Sequence, residues 1–289
     1  MAYPIVSAPY GFKAYNELGG LPYAGSTRMY PIATGYAANL FTGDLVQLSG
    51  GTVIKSAMSA ASSPGTAVDG TLGVFVGCEY TNPSTQQKLR AQYWPSGTVA
   101  QDAVAYIIDD PRAVLRVAVT SQSTSLANTG STIGYISQSF VGTNVYAITG
   151  ATGSTVTGDS AMSVSGGVIS SGTVGNTRVT SALPFRVVQL VPDTAVSVAA
   201  TASTSGSSTT VTLTAANSAI QAGMQLVAPS GTGSLAGNFI TVTNVNGTAV
   251  TVSSAVTLAS GTAVTFIGYP EALVVWNQGF QGYTDATGV

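Results

Sequence analysis

The sequence predicts an all-β protein, and three observations lead to this fold class. Short alternations of β-branched and other apolar residues recur along the 289-residue chain, and Gly, Ser, Asn and Pro bound them. Glycine, with 34 residues, and proline, with 12, supply the turns between these segments. No stretch of about 12 residues carries the apolar spacing and the end caps of a helix.

Residues 1–37 predict an extended N-terminal arm. They hold six of the thirteen tyrosines and four prolines, and they lack the periodicity to form a core of their own. We expect the aromatic rings to lie against the domain that follows or against a neighbouring molecule, and an arm swapped between subunits would do both. The candidate contact residues for the shell or a sister subunit are Tyr10, Phe12, Tyr15, Tyr23, Arg28 and Tyr30.

Residues 38 to about 120 predict a denser set of strands. Residues 44–49 and 52–56 flank Gly50 and Gly51, which predicts a hairpin. Residues 71–78 predict a buried strand that holds the single cysteine, Cys78, as a small core residue. Two further strands, 103–108 and 113–119, flank an Asp-Asp-Pro-Arg turn and predict a second hairpin.

The rest of the chain predicts an insertion. Residues 121–181 favour long loops and short strands, and residues 184–191 form a clear strand. No Asp, Glu, Lys or Arg occurs between Asp193 and Glu271, a stretch in which a Val-Thr pattern recurs. We therefore predict a small β-sandwich at 197–267, inserted into a main domain made of 38–196 and 268–289. Strands 184–191 and 271–277 should then be partners.

The composition argues against an enzyme. Lys and Arg number 9 and Asp and Glu number 11, so 7% of the chain is charged against about 25% in typical proteins, and there is no histidine. Ser160 ends a Gly-Asp-Ser sequence similar to the nucleophile box of one lipase family, but it lacks a histidine base. Asp109 and Asp110 precede a proline, which favours a turn over a metal-binding pair. A glycosidase pair among the scattered carboxylates stays open, but we predict no catalytic residue, cofactor or metal site.

Charge and hydropathy limit the classes of partner that we expect the protein to bind. The basic residues are scattered singly and the net charge is −2, so we expect no binding to nucleic acid. No apolar run has the length of a membrane span, so we expect no membrane partner. The N-terminus lacks a secretory signal pattern, so we expect synthesis in the cytoplasm. The mean hydropathy of +0.34 is high for a chain with so few charges. Some apolar surface should therefore lie against another subunit.

Several segments resemble virion structural proteins of tailed phages that infect aquatic bacteria. The similar segments are 21–36 (LPYAGSTRMYPIATGY), 41–46 (FTGDLV), 73–81 (GVFVGCEYT), 93–95 (YWP), 104–111 (VAYIIDDP) and 283–289 (YTDATGV). The resemblance covers roughly residues 10–195 and 268–289 and includes no catalytic motif. Residues 197–267 are similar to the Thr/Val/Gly-rich modules, often immunoglobulin-like, that many phage surface proteins carry.

The resemblance implies a capsid decoration, or cement, protein. Such a protein lies on the outer surface of the icosahedral head, binds the major capsid protein and is commonly a homotrimer. It further implies a β-barrel or tulip-like main domain, with the immunoglobulin-like module projecting from it. The alternative is an adhesin or a tail or fibre protein that binds a host-surface glycan through residues 197–267.

Overall fold

The computed structural model describes residues 6, 8–56, 71–121, 136, 138–166, 168–170, 173–175, 183–191, 197–227, 240–277 and 281–283. Within these ranges every regular element is a strand, apart from a single 3-10 helix at Gln138–Phe140. The predicted all-β class is therefore confirmed.

The strands divide by position into three groups. The first ten are β1 (Lys13–Glu17), β2 (Arg28–Pro31), β3 (Leu40–Phe41), β4 (Leu45–Ser49), β5 (Thr52–Lys55), β6 (Thr71–Thr81), β7 (Lys88–Ala91), β8 (Tyr93–Trp94), β9 (Val104–Ile108) and β10 (Ala113–Ser121). The next six are β11 (Asn144–Val145), β12 (Ala147–Ile148), β13 (Ser163–Gly166), β14 (Val168–Ser170), β15 (Thr173–Gly175) and β16 (Phe185–Val191). The last seven are β17 (Ser197–Thr201), β18 (Gly206–Thr212), β19 (Gln225–Val227), β20 (Val242–Asn246), β21 (Ala249–Leu258), β22 (Ala263–Ile267) and β23 (Glu271–Trp276).

The first sheet is a nearly closed barrel. Strands β2, β9, β6, β4 and β5 pair in that order, and β7 adds to β6. A parallel bridge joins Ile32, just after β2, to Val53 in β5, which brings the two ends of the sheet together. The barrel-like main sheet that the resemblance implied is therefore present. Its interior is apolar, with fully buried side chains that include Leu40, Val46, Leu72, Phe75, Trp94 and Ile107.

The second sheet has the order β11, β16, β23, β10, β13 and β12, and β1 adds to β10. Three aromatic rings lie in succession at its core: Phe185 is 4.9 Å from Phe12 and 4.4 Å from Trp276, centroid to centroid. Strands β16 and β23 pair antiparallel, from Phe185 opposite Trp276 to Val191 opposite Glu271. This confirms the predicted partnership of the strands on either side of residues 197–267.

Of the two predicted hairpins, the first is confirmed and the second is wrong. Strands β4 and β5 pair with Ser49 opposite Thr52, and both turn glycines have positive φ, as a two-residue hairpin turn requires. The turn at 109–112 also forms, but β9 pairs with β2 and β6 whereas β10 pairs with β1, β13 and β23. The chain changes sheets at this turn because each strand is buried among partners that are distant in the sequence.

Residues 197–267 form two three-stranded sheets around one apolar core. The sheet orders are β17, β22, β19 and β18, β21, β20. The Val-Thr repeat turns alternate residues inward, so that Val211, Val250 and Val264 are all 1% exposed or less. Backbone bonds join the two sheets on both sides, from Leu226 N to the Ile240 oxygen (2.8 Å) and from Ser203 N to the Thr212 oxygen (2.7 Å).

These bonds make the 197–267 segment a ring of six strands that follows the order β17, β22, β19, β20, β21, β18. All neighbouring contacts in this ring are antiparallel. An immunoglobulin sandwich instead leaves the edges of its two sheets unpaired with each other. The predicted immunoglobulin-like topology is therefore not confirmed.

The N-terminal segment contributes a strand to each of the two sheets. β1 pairs with β10 in the second sheet, and β2 pairs with β9 in the barrel. The preceding residues reach the base of the 197–267 segment, where Tyr269 N donates to the Val6 oxygen at 3.1 Å. Val6 and Tyr10 also pack with Tyr269, Ile267 and Ala118 in a small apolar cluster. The segment therefore connects all three parts of the structure.

Candidate functional site

The described residues offer no metal centre. Across the ranges given above, no three Cys, Asp or Glu side chains lie close enough together to hold a metal ion. Within the same ranges, no helix is long and apolar enough to cross a membrane.

Ser160 lies in a buried polar cluster, and its place there argues against a nucleophile. Its hydroxyl donates to Asp44 Oδ1 at 2.6 Å, and Lys55 Nζ lies 3.5 Å from Asp44 Oδ2. Burial raises the pKa of Asp44, although Lys55 opposes that rise. Ser160 is only 1% exposed, so a substrate cannot reach its oxygen. The cluster fixes the segment around residue 160 against β4.

Four of the nine large apolar side chains that are exposed in the described residues belong to the N-terminal segment. Four side chains there are strongly exposed: Tyr15 (54%), Leu18 (47%), Leu21 (60%) and Met29 (64%). We call these four side chains the N-terminal face. Two backbone hydrogen bonds hold the turn that carries Leu18 and Leu21. Glu17 N donates to the Leu21 oxygen at 2.8 Å, and Leu18 N donates to the Arg112 oxygen at 2.8 Å. Met29 is carried by the edge strand β2.

The run from Leu18 to Thr27 also lacks charge. Between Glu17 and Arg28 the chain has no Asp, Glu, Lys or Arg. Apart from Tyr23, every residue from Leu18 to Met29 is exposed. An exposed run that is both uncharged and partly apolar is typical of a contact with another protein.

The structure separates the six candidate contact residues into different roles. Phe12 is 1% exposed and stacked in the core, so we leave it out of the proposed contact surface. Tyr10 is partly buried and donates to Glu271, which also pairs with Arg116. Burial, together with the hydrogen bond to Glu271, raises the pKa of Tyr10. These two rings therefore serve the chain's own fold.

The other four candidates are nearer the surface. Tyr15 is in the N-terminal face, whereas Tyr23 is half-buried against the second core and donates to the Ser26 oxygen. Burial raises the pKa of Tyr23 to about 12. Arg28 and Tyr30 both contact Asp109, with Arg28 Nε 3.4 Å and the Tyr30 hydroxyl 2.7 Å from Oδ2. Both also contact Tyr283, which residues 281–283 bring from the far end of the chain.

A second surface cluster lies on the outside of the barrel, where Glu79 accepts three bonds. Its partners are Lys88 Nζ at 2.7 Å, Arg90 Nε at 2.6 Å and the Tyr106 hydroxyl at 2.9 Å. These bonds lower the pKa of Glu79 to about 2. They join the outer faces of β6, β7 and β9.

Sequence reasoning missed several of these surface residues. Leu18, Leu21 and Met29 carry no aromatic ring and so were not among the candidates. The absence of charge from 18 to 27 was the available signal for Leu18 and Leu21, and Met29 had none. For the Glu79 cluster, the signal was that Lys88 and Arg90 are two residues apart in one strand and so share a face.

The 197–267 segment exposes hydroxyl and amide groups instead of rings. Its one aromatic residue within the described ranges, Phe266, is 0% exposed, and Tyr269, just beyond the segment, is 4% exposed. Burial raises the pKa of Tyr269 to about 12. Sugar rings commonly stack on exposed aromatic side chains, and neither of these two is available for such a contact.

Comparisons with known proteins add no assignment. No family model matches the chain, no curated protein matches it, and no solved structure matches it.

Proposed function

We propose that the protein is a non-enzymatic capsid decoration protein of a tailed phage. It binds the outer surface of the major capsid protein lattice through the N-terminal face and stabilises the shell. It acts as a homotrimer and needs no cofactor. The exposure of Leu21, at the start of the segment 21–36 that resembles virion proteins, and of Met29 within that segment carries this proposal.

The physical character of this surface supports a binding role. The barrel and the second sheet bury their cores completely, so the exposed apolar side chains are not needed to complete either fold. Their exposure costs free energy in water, since burying apolar surface is worth roughly 25 cal/mol per Å². A partner that covers Leu21 and Met29 would recover part of that free energy.

Assembled heads with and without the protein provide the test. We expect heads that carry the protein to resist heating and chelators better than bare heads. The double substitution Leu21→Ser and Met29→Ser should weaken binding to heads by at least about tenfold, equivalent to about 1.4 kcal/mol. Val99→Ser is the matched control, because Val99 is 61% exposed but lies outside the N-terminal face. Equal stability of bare and decorated heads would overturn the proposal.

The trimer has a separate test. Light scattering of the purified protein should give about three times the 28.9 kDa mass of one chain. A mass of one chain, both free in solution and on the head, would overturn the trimer but not the decoration role.

The alternative is adhesion through residues 197–267. A glycan array probed with the whole protein separates the two roles. Selective binding to one glycan class would favour the adhesin, whereas the decoration role predicts no selective binding.

A further inference from the structure

Residues Gln281, Gly282 and Tyr283 lie in a site at one end of the barrel that other parts of the chain form. The backbone oxygens of Thr71 and Leu72 form one side of it, and the Asp109 oxygen forms another. The side chains of Arg28 and Tyr30 complete it. We call these five residues the tail site.

The first feature of the tail site is a gap in the barrel sheet. The pairing of β6 with β9 begins at Val74 opposite Ile108, so Leu72 and Asp109 lie beyond the paired region. The side-chain amide of Gln281 fills this gap, because its Nε2 donates to the Leu72 oxygen at 3.0 Å and to the Asp109 oxygen at 2.9 Å. A short side chain at position 281 would leave both carbonyl groups without these donors.

Both polar atoms of the Gln281 side chain are hydrogen-bonded within the protein. Gln281 is 0% exposed, and its Oε1 accepts a bond from Tyr283 N at 2.9 Å. Both of its amide hydrogens and its oxygen are therefore bonded at once. A glutamate here would place a carboxylate against two carbonyl oxygens, so the site selects the amide.

The backbone of the segment pairs with the start of β6 through one isolated bridge. Gln281 forms a parallel bridge with Thr71, and Gly282 N donates to the Thr71 oxygen at 2.8 Å. Addition of an extended peptide to a sheet edge is a recurrent mode of peptide recognition, with the backbone giving affinity and side-chain sites giving specificity.

The second side-chain position selects a tyrosine. The Tyr283 hydroxyl accepts from Arg28 Nη1 at 3.3 Å and also contacts the Tyr30 hydroxyl, while the Arg28 guanidinium lies 5.3 Å from the Tyr283 ring centroid. Residues 278–280 carry the sequence Gln-Gly-Phe just before the bound triplet. The hydroxyl is the chemical feature that distinguishes the bound triplet from that one.

We propose that the tail site is a peptide-binding site for a Gln-Gly-Tyr segment, which one chain fills with its own residues and which the same segment of a second copy also fits. Each copy of the chain carries both the site and the ligand, so a second copy is the partner that always has the required sequence. The inference does not rest on the capsid role.

The test uses the full chain and a soluble peptide, acetyl-Gln-Gly-Tyr-Thr-amide. The variant Gln281→Ala with Tyr283→Ala removes the side chains that fill the site and leaves all five residues of the tail site unchanged. Saturation-transfer NMR on the peptide ring protons measures binding. We expect the vacant site of the variant to bind the peptide with a Kd of about 1 mM, a weak affinity suited to two side-chain contacts. A short tether gives the chain's own segment an effective concentration of about 10 mM, so competition should raise the apparent Kd of the wild-type chain about tenfold.

Two control peptides test specificity. Replacing the peptide tyrosine by phenylalanine should weaken binding about tenfold, and replacing glutamine by glutamate should abolish it. If the double variant loses its β-sheet circular dichroism, Tyr283→Ala alone takes its place with acetyl-Tyr-Thr-amide as the probe, because Gln281 then stays in the gap and only the tyrosine position is vacant. Equal binding of the peptide by wild type and a folded variant, or binding by neither, would overturn the proposal.

A mixing experiment tests the second copy. Fluorescently labelled double variant is mixed with unlabelled wild type and followed by sedimentation velocity. We expect a complex that excess peptide disperses and that does not form when the unlabelled chain also carries Gln281→Ala and Tyr283→Ala. Peptide binding without such a complex would overturn the role of a second copy.

Discussion

The buried ion pair between Glu271 and Arg116 should respond unequally to the loss of either partner. Arg116 Nε donates to Glu271 Oε1 at 3.0 Å, its Nη2 bonds the other carboxylate oxygen, and Tyr10 donates from a third side. The Glu271 side chain is 1% exposed, whereas the Arg116 side chain is 35% exposed. Water can therefore reach the arginine after its partner is removed but cannot reach the glutamate.

The expected magnitudes follow from this difference. Arg116→Ala leaves a buried carboxylate with no opposite charge, and the loss of one partner from a buried pair costs about 3–5 kcal/mol. Glu271→Gln leaves a partly hydrated arginine beside a neutral amide that still accepts hydrogen bonds, so we expect a cost of about 1–2 kcal/mol. Lys13→Ala is the comparison at the edge of the same cluster: its ammonium lies 4.7 Å from the Tyr10 ring centroid, but its salt bridge to Asp159 is exposed and such pairs contribute about 0–1 kcal/mol.

Urea unfolding measures these costs. Circular dichroism and tryptophan fluorescence should be followed together, because only coincident transitions justify a single free energy of unfolding. The midpoint should fall most for Arg116→Ala, less for Glu271→Gln and least for Lys13→Ala. A larger loss for Glu271→Gln than for Arg116→Ala would refute the argument from exposure.

Three further predictions concern other parts of the chain. The pKa of Glu79 in the folded state is lowered to about 2, so its bonds stabilise the fold fully above about pH 4.5 and are lost as the pH falls through 2. Glu79→Gln should therefore lower the thermal midpoint at pH 7. The difference from wild type should vanish near pH 2. Gly73→Ala should cost about 1–3 kcal/mol in urea unfolding, because an added Cβ would overlap the Ile108 oxygen, whereas Gly77→Ala should cost less because its nearest atom is 2.9 Å away. Burial raises the pKa of Cys78 to about 12, so the thiol should react with a disulfide reagent at pH 8 only after denaturant is added, and a fast reaction of the folded protein would contradict the observed burial.

Local sequence signals predicted local structure well. Gly50 and Gly51 supply the two positive φ angles of a hairpin turn, and no distant residue is needed to form it. The Val-Thr alternation placed Val211, Val250 and Val264 in one core, because alternation alone decides which face of a strand is buried.

Pairing between distant segments was harder to predict. The Asp-Pro turn between β9 and β10 is equally compatible with a hairpin and with a change of sheet, because the choice depends on β2 and β23 elsewhere in the chain. The partnership of β16 with β23 could be predicted only because a long stretch without charged residues separates the two strands.

The candidate surface was only partly predictable. Aromatic composition identified the right segment but could not separate Phe12, which is in the core, from Tyr15, which is exposed. The role of Gln281 left no signal in the sequence, because it depends on a gap between β6 and β9 that forms only after folding.

The way residues 197–267 are attached bears on whether this segment can be replaced by another. Its first and last strands pair with Ser197 opposite Ile267, and the strands that lead to it pair with Val191 opposite Glu271. The chain therefore enters and leaves residues 197–267 at adjacent positions. A different domain with adjacent termini could be spliced in at this point, or a tight turn could replace it, and the main-domain ladder would keep its register.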